Sequence, residues 1–509
     1  MTPHRHTTRR KTGVPTPVLP VVLLATALLA SRLCASSNRI FYVNDNALAD
    51  DRWCTAPGSD SQSGLSSNTP KATLQDIITN YHPVPGDTIL IDAGSYPLAA
   101  DAELPDTGPG NPGGVWLKVL GVPGKTFLDR QAPGGDSVGL RIRQDCTRIE
   151  GLGFRGAKTG LRIEPATCRN AEIARCRFTD NSGYAIHVPN DAGAGVSHYL
   201  IRNNLVFGSG AGLNLQADAT TGSGWFTVEN NTIVTEGQTA IALGGAEAAS
   251  TLRNNILQVR TSGYCLFVKR ENALLSCNFN NLLADKGAGV AKWPVAGVYQ
   301  AAETLAAWRS ATGFDNASLS RDPFFVAPLT QNYHLQSAGG SWHGTAWAAD
   351  PLTSPCIDAG DPESAFGLEP FPNGGRVNLG AYGNTEAASR SVSNRTLTIL
   401  SPAGGEIWPQ PVVIVWSASG EGWQTTDTVR IEYTTGTGTW SVIAGAGQLP
   451  FTGTFTWTPP NPDATTATYQ LRVVCNSDSS IAAAVAAGTV YRLAANYYIN
   501  DGATVGDRW

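Results

Sequence analysis

The chain has 509 residues, with 36 Lys and Arg against 41 Asp and Glu, a formal net charge of −5. That acidic balance argues against a nucleic-acid partner, which needs a basic footprint. Charged residues make up only 15% while Gly numbers 55 and Pro 31, which argues against a helical bundle and suits an all-β chain rich in tight turns, long enough for two or three domains.

Residues 1–36 read as a secretory signal. Arg5, Arg9, Arg10 and Lys11 precede an apolar run from Val18 to Ala30, and a short, mostly small and polar stretch follows. The run is shorter than the ~20 residues a membrane span needs, so cleavage is expected, with the mature chain secreted or at the cell surface and free of a membrane span. Without Cys34 eight cysteines remain, an even number that permits disulfides in an exported chain.

Thr69-Pro70 followed by Ala72, Leu74, Ile77 and Ile78 predicts a short amphipathic helix, and Pro85-Gly86-Asp87 a turn into a strand over 88–91. A repeat then sets in. Apolar Ile149, Ile173, Ile201, Val228 and Leu252 recur every 24 to 28 residues, each followed five residues later by Phe154, Phe178, Val206, Ile233 or Leu257. Between them sit the pairs Asn203-Asn204, Asn230-Asn231 and Asn254-Asn255, with Cys176 in the second Asn position one turn earlier. A second short strand completes each unit: Leu161–Ile163, Ile186–Val188, Leu213–Leu215, Ile241–Leu243 and Leu266–Val268. Such a unit cannot bury its own apolar face, so equivalent strands must stack in parallel, and the Asn pairs read as ladder residues at a repeated bend. A second short helix is expected over 303–309. The fold class is all-β, a right-handed parallel β-helix over 37–392.

The opening, with Gly58-Ser59-Asp60, Thr69-Pro70-Lys71-Ala72-Thr73-Leu74 and Pro85-Gly86-Asp87-Thr88-Ile89, resembles the pectate-lyase-like β-helix superfamily. The closing segment, with Asp322-Pro323-Phe324, Tyr333-His334-Leu335, Ser354-Pro355-Cys356-Ile357-Asp358-Ala359-Gly360-Asp361-Pro362 and Gly375–Tyr382, is similar to that of large exported repeat proteins of environmental bacteria. The resemblance implies a polysaccharide or cell-wall glycan as partner. It implies no single activity, because lyases, hydrolases, epimerases, adhesins and spacers share the scaffold.

Over 396–494, strands at Leu397–Leu400, Val412–Trp416, Val429–Tyr433, Trp440–Ala444, Phe455–Trp457 and Tyr469–Val474 predict a β-sandwich. Ser401–Trp408 with Ile414-Val415-Trp416 resembles an immunoglobulin-like module related to a yeast cell-wall β-glucan synthesis domain. Finally, Tyr497-Tyr498-Ile499-Asn500-Asp501 repeats Phe41-Tyr42-Val43-Asn44-Asp45, and Gly506-Asp507-Arg508-Trp509 repeats Asp50-Asp51-Arg52-Trp53 without a gap. Residues 495–509 are therefore expected to start a second, truncated β-helix unit.

Candidate chemistry lies on the outward ladder Arg162, His187, Asn214, Ala242 and Phe267, and just after each strand at Glu164, Asp191, Gln216, Asp218, Lys269 and Arg270. A lyase needs a base for the proton beside a uronic carboxylate and a cation to neutralise that carboxylate. His187 is the candidate base, Lys269 and Arg270 candidate catalytic cations, and Arg162, Asn214 and Gln216 candidate substrate contacts. Asp191 and Asp218 can serve Ca²⁺, which takes several oxygen ligands, although no cofactor is required. Each also has a bland reading as a solvated strand or turn residue. His187 and Lys269 stand three rungs apart, roughly 14 Å at strand spacing, too far to share one reacting atom. The favoured reading is a glycan-binding or structural surface protein. A polysaccharide lyase or hydrolase is the alternative, and an adhesin the third.

Overall fold

The computed structural model describes residues 38–491 except 109–114, 191–196, 217–223, 245–249, 393, 403–406, 409–410, 421, 436–437, 461–465 and 486. The expected signal peptide and second unit lie outside the described residues.

Three parallel sheets wind into a right-handed β-helix. The first face holds nine strands, from Ile40–Val43 and Thr88–Ile91 through Thr147–Glu150, Asn170–Ala174, Ser197–Arg202, Gly224–Glu229 and Ser250–Arg253 to Leu274–Asn278. The second holds eight, from Gly94–Pro97 to Asn281–Ala284. The third runs from Ala102–Leu104 through Thr159–Ile163, Tyr184–Val188, Ala211–Leu215, Ile241–Leu243 and Tyr264–Val268 to Gly289–Val295, with Val298–Ala302 folded back antiparallel at its end.

The repeat places its residues in register. Ile149, Ile173, Ile201, Val228 and Leu252 pair successively on the first face, and Phe154, Phe178, Val206, Ile233 and Leu257 on the second. All ten are buried in one continuous core, each such side chain contributing about 1.5–3 kcal/mol. Aromatic pairs stack at the rung spacing, Phe154 on Phe178 at 5.1 Å and Tyr199 on Phe226 at 5.3 Å. The ends are closed by helices. Leu74–Tyr81 buries Leu74, Ile77 and Ile78 at one end, and Leu305–Thr312 buries Leu305 and Trp308 near the other. The first helix starts later than Pro70 because Lys71 bridges Val43 and Thr73 is the N-cap, accepting from the Asp76 N–H at 3.2 Å.

The paired asparagines divide the work at the bend between the first two faces. The second of each pair forms the ladder: the Nδ2 of Asn204, Asn231 and Asn255 each donates to the Oδ1 of the next Asn, ending at Asn280, at 3.0 Å per step. The same Oδ1 atoms accept backbone N–H bonds from Asn204, Asn231 and Asn255, and the Oδ1 of Asn204 accepts that of Cys176. The first of each pair, Asn203, Asn230 or Asn254, takes a left-handed conformation with φ of 54°, 54° or 58°, which Asn tolerates better than most residues. Their amides bond outward to the closing segment: Asn203 to the carbonyls of Ala381 and Gly383, Asn230 to that of Asn378, and Asn254 to the Ser364 hydroxyl.

The closing segment lies over the second face. Its Cys356, Ile357, Ala359, Leu379 and Ala381 cover the outward Leu205, Phe207, Val234 and Ile256. Gly360 is required there, since a Cβ would stand 2.3 Å from Val377 Cγ1. Within it, the buried Glu369 accepts from the backbone N–H groups of Asn378 and Asn384 at 2.8 and 2.7 Å, and burial pushes its carboxyl up to about 8.

Residues 396–491 form a β-sandwich. Thr396–Ser401, Val412–Ser419 and Gly453–Trp457 make one sheet, while Thr428–Thr434 and Thr466–Cys475 centre the other. Ile414, Trp416, Ile431, Leu471 and Val473 fill the space between them. The strand expected at Trp440–Ala444 is only Ser441–Val442, because Ile443 turns inward and its carbonyl accepts from the Ala446 N–H. The eight cysteines of the described residues are free thiols and all buried; burial pushes those of Cys54, Cys146, Cys176 and Cys356 up to about 12.

Three outcomes are expected. Asn231→Ala leaves buried amide groups of both neighbouring rungs unpaired and costs about 3 kcal/mol, read as a fall in the unfolding midpoint. Asn203→Ala instead speeds hydrogen exchange mainly in residues 381–383. Glu369 keeps its proton in the folded chain up to about pH 8 but loses it near 4.5 when unfolded. The contribution of Glu369 to stability should therefore decline as pH rises from 4.5 to 8, and comparing pH-dependent melting curves of the unaltered chain with Glu369→Gln, which keeps the acceptor oxygen, should show that component lost in the variant.

Candidate functional site

The outward positions of the third face form one column in register: Glu103, Arg141, Arg162, His187, Asn214, Ala242, Phe267 and Lys292. Alternation along each strand, with Leu161 and Ile163 inside, forces the residue between them outward.

At the N-terminal end charges cancel. Glu164 accepts from Arg162 Nε at 2.8 Å and from Arg141 Nη1, while Arg141 also reaches Asp101 and Glu103 at 3.7 and 3.6 Å. Burial works against the Glu164 charge, but the hydrogen bonds and charges of Arg162 and Arg141 outweigh it and hold the carboxyl below its ordinary range. Arg162 is therefore not a free cation awaiting an acidic sugar. Next comes His187, half-buried, its ring 5.1 Å from that of Tyr184. Burial, then the positive charge of Arg162, push its imidazole down to about 4, so it is neutral at neutral pH and able to accept a proton or a hydrogen bond.

Lys269 reaches farther than strand spacing suggests. Its Nζ donates to Asn214 Oδ1 at 3.1 Å, and Asn214 is the register neighbour of His187. The side chain reaches back because the intervening positions are small. Ala242 fills one, and a Cβ on Gly244 would lie 3.6 Å from both Lys269 Cδ and Gln216 Cγ. Gln216 Nε2 donates to the same Asn214 oxygen at 2.5 Å. Burial lowers the Lys269 amine below its ordinary value. His187, Asn214, Gln216 and Lys269 thus converge on neighbouring rungs, and Arg270 is exposed in the turn that follows. Asp191 and Asp218 lie outside the described residues, and among those described no group of three or more His, Cys, Asp and Glu is placed to hold a metal.

Beyond Asn214 the column turns aromatic. Lys292 Nζ lies 5.3 Å from the ring centres of Phe267 and Tyr299 and 5.8 Å from that of Tyr264, and the Tyr299 hydroxyl donates to the Lys269 carbonyl at 3.1 Å. Tyr264 and Tyr299 escaped sequence reading because neither occupies the column; only the antiparallel return of Val298–Ala302 brings Tyr299 alongside it.

A second concavity was not foreseen. A cleft of about 890 Å³ opens between the closing segment and the bend of the first two faces, lined among others by Arg175, Arg177, His334, Trp342, Trp347 and Tyr382. His334 and Tyr382 belong to the closing motifs recognised in the sequence, yet their partner Arg177 lies more than 150 residues earlier, and no local pattern joins them.

The family described as Disaggregatase related matches residues 191–360. That stretch includes Asn214, Gln216, Lys269, His334, Trp342 and Trp347. Among solved structures, the chain is similar to a pectate lyase, Pel9A, at 15% identity and a TM-score of 0.30, over 67% of this chain and 96% of that one. It is also similar to an alginate lyase from Paenibacillus sp. str. FPU-7, at 15% identity and a TM-score of 0.27, over 44% of this chain and 93% of that one. No curated protein matches the sequence significantly. Among the described residues no helix is long and apolar enough to cross a membrane.

Lys269→Met should raise the His187 pKa from about 4 while leaving it below 6.5, because burial and Arg162 still act on the ring. A ring-proton NMR titration reads this directly, and an unmoved His187 would place the amine elsewhere.

Proposed function

We propose that this chain is an exported module, secreted or held at the cell surface, that binds a polysaccharide along the third face of its β-helix. The observation that carries the reading is the convergence of Lys269, Gln216 and Asn214 beside a neutral His187, continued by Phe267, Tyr264 and Tyr299. Sugars present hydroxyls at fixed spacing and apolar ring faces. A row of amide, amine and imidazole groups followed by aromatic rings answers both. Parallel stacking repeats these groups at ~4.8 Å, so a long chain molecule can lie across several rungs. The ion pairs at the Arg162 end supply structure there, with no unpaired charge offered by Arg162 or Glu164.

One observation favours a second reading, a polysaccharide lyase. The Lys269 amine, lowered by burial, stands on the rung next to His187, which places a cation and a proton acceptor within reach of one sugar residue. Asp191 and Asp218 would be the carboxylates to serve Ca²⁺ in that case.

Affinity electrophoresis of the full chain in gels containing polygalacturonate or alginate, paired with an ultraviolet assay for unsaturated products with and without Ca²⁺, separates these readings. Retention without product, weakened about tenfold in Asn214→Ala, is the expected result. Product formation abolished by Lys269→Met would replace binding with elimination. Absence of both retention and product would leave a spacer.

A further inference from the structure

The cleft beneath the closing segment carries an inference independent of the third face. Its charge is unbalanced: Arg52, Lys125, Arg175 and Arg177 line it against the single carboxylate Glu386. Lys125 is paired with Asp50 at 2.7 Å and Arg175 lies 3.8 Å from Glu150. Arg177 is different. Its guanidinium carbon lies 4.8 Å from the Phe207 ring centre and 6.0 Å from that of Phe127, its Nη2 donates to Gln331 Oε1 at 2.5 Å, and among the described residues no carboxylate lies within ion-pair distance of it, the charge of Asp180 acting only from farther off. Its Nε is buried with no hydrogen-bond partner. A guanidinium held between aromatic rings and left with an unused donor is costly unless something fills the place.

His334 is the second anomaly. It is 7% exposed, its ring stacks on Tyr382 at 3.7 Å, and its Nδ1 lies 2.7 Å from Asn332 Oδ1. Asn332 Oδ1 also accepts the His334 backbone N–H at 3.1 Å, so it is the acceptor and Nδ1 carries the proton. That leaves Nε2 as a lone-pair acceptor, buried and without a partner. Burial, then His343, push the imidazole down to about 4, which keeps it neutral. The two anomalies are joined through consecutive residues. Gln331 holds Arg177, and Asn332 holds His334 and donates its amide to the Trp342 carbonyl at 2.9 Å. Trp342 and Trp347 face each other edge-on across a short hairpin, 6.0 Å between ring centres, both half-exposed to the cleft.

An unpaired guanidinium donor, a lone-pair acceptor and indole faces together match one ligand chemistry: a ring with apolar faces, a hydroxyl and a carboxylate. We propose that this cleft is a binding site for an acidic sugar residue, whose carboxylate pairs with Arg177, whose hydroxyl donates to His334 Nε2 and whose ring lies on Trp342 or Trp347. Arg suits this role because its planar fork matches a carboxylate. The volume of about 890 Å³ accommodates one or two sugar rings rather than a long chain.

The test uses the full chain and calorimetric titration with galacturonate trimer and its fully methyl-esterified form. The acid is expected to bind at least about tenfold more tightly than the ester, and Arg177→Met should abolish that difference. Asn214→Ala, on the third face, should leave it intact. Trp342→Ala, on the half-exposed hairpin, should weaken acid and ester alike. Equal binding of acid and ester by the unaltered chain would overturn the proposal without recourse to any variant. So would a preference for the acid that survives in a folded Arg177→Met chain, or one that disappears in Asn214→Ala, which would assign charge recognition to the third face.

Discussion

A rung of 24 to 28 residues has an apolar face on every strand and no second layer to cover it. Its neighbours above and below are the only cover available, and the parallel register that brings Ile149, Ile173 and Ile201 into one column is the single arrangement that stacks every inward residue at once. The polar counterpart is the asparagine ladder. Turning the chain sharply between two faces leaves backbone N–H groups inside the bend, and the Oδ1 of each inner Asn takes the N–H of the rung below it. Core and ladder share one translation, so a slip of one residue would misplace both.

That register also builds the surfaces where chemistry can occur. A residue between two inward positions must point out, and stacking turns such residues into a column. On the third face the column is electrically self-contained at one end, where Glu164 takes up both Arg141 and Arg162, and hydrogen-bonding and aromatic at the other. On the second face the outward residues Leu205, Phe207, Val234 and Ile256 are apolar, which would be costly in water, and the closing segment lies over them. The outer Asn of each pair then fastens that segment at the bend. The cleft of Arg177 and His334 lies where that segment meets the bend.

The strands, their register and the Asn ladder were legible because they follow from period-two alternation and a repeat measured in residues. The division of labour within each Asn pair was not legible, because Asn203 and Asn204 look alike until one knows which side chain faces the bend. For Lys269 the rung count misleads for a physical reason. Counting rungs measures backbone separation, whereas a four-carbon side chain lying over Ala242 and Gly244 spans two rungs. Arg162 reads as an available cation from the sequence because its ion pair with Glu164, shared with Arg141 a rung away, forms only in the fold. The cleft was illegible for a deeper reason. Arg177 and His334 meet only once the closing segment has folded back, and no spacing rule relates residues joined by that return.

A glycan is proposed to lie along the outward column of the third face. A crystal structure of the full chain grown with a galacturonate oligomer tests it most directly. Sugar electron density is expected along the third face in contact with Gln216 and Lys269, which the buried Asn214 holds in place. A well-diffracting structure in which the oligomer is bound elsewhere and that column is covered only by water would contradict it.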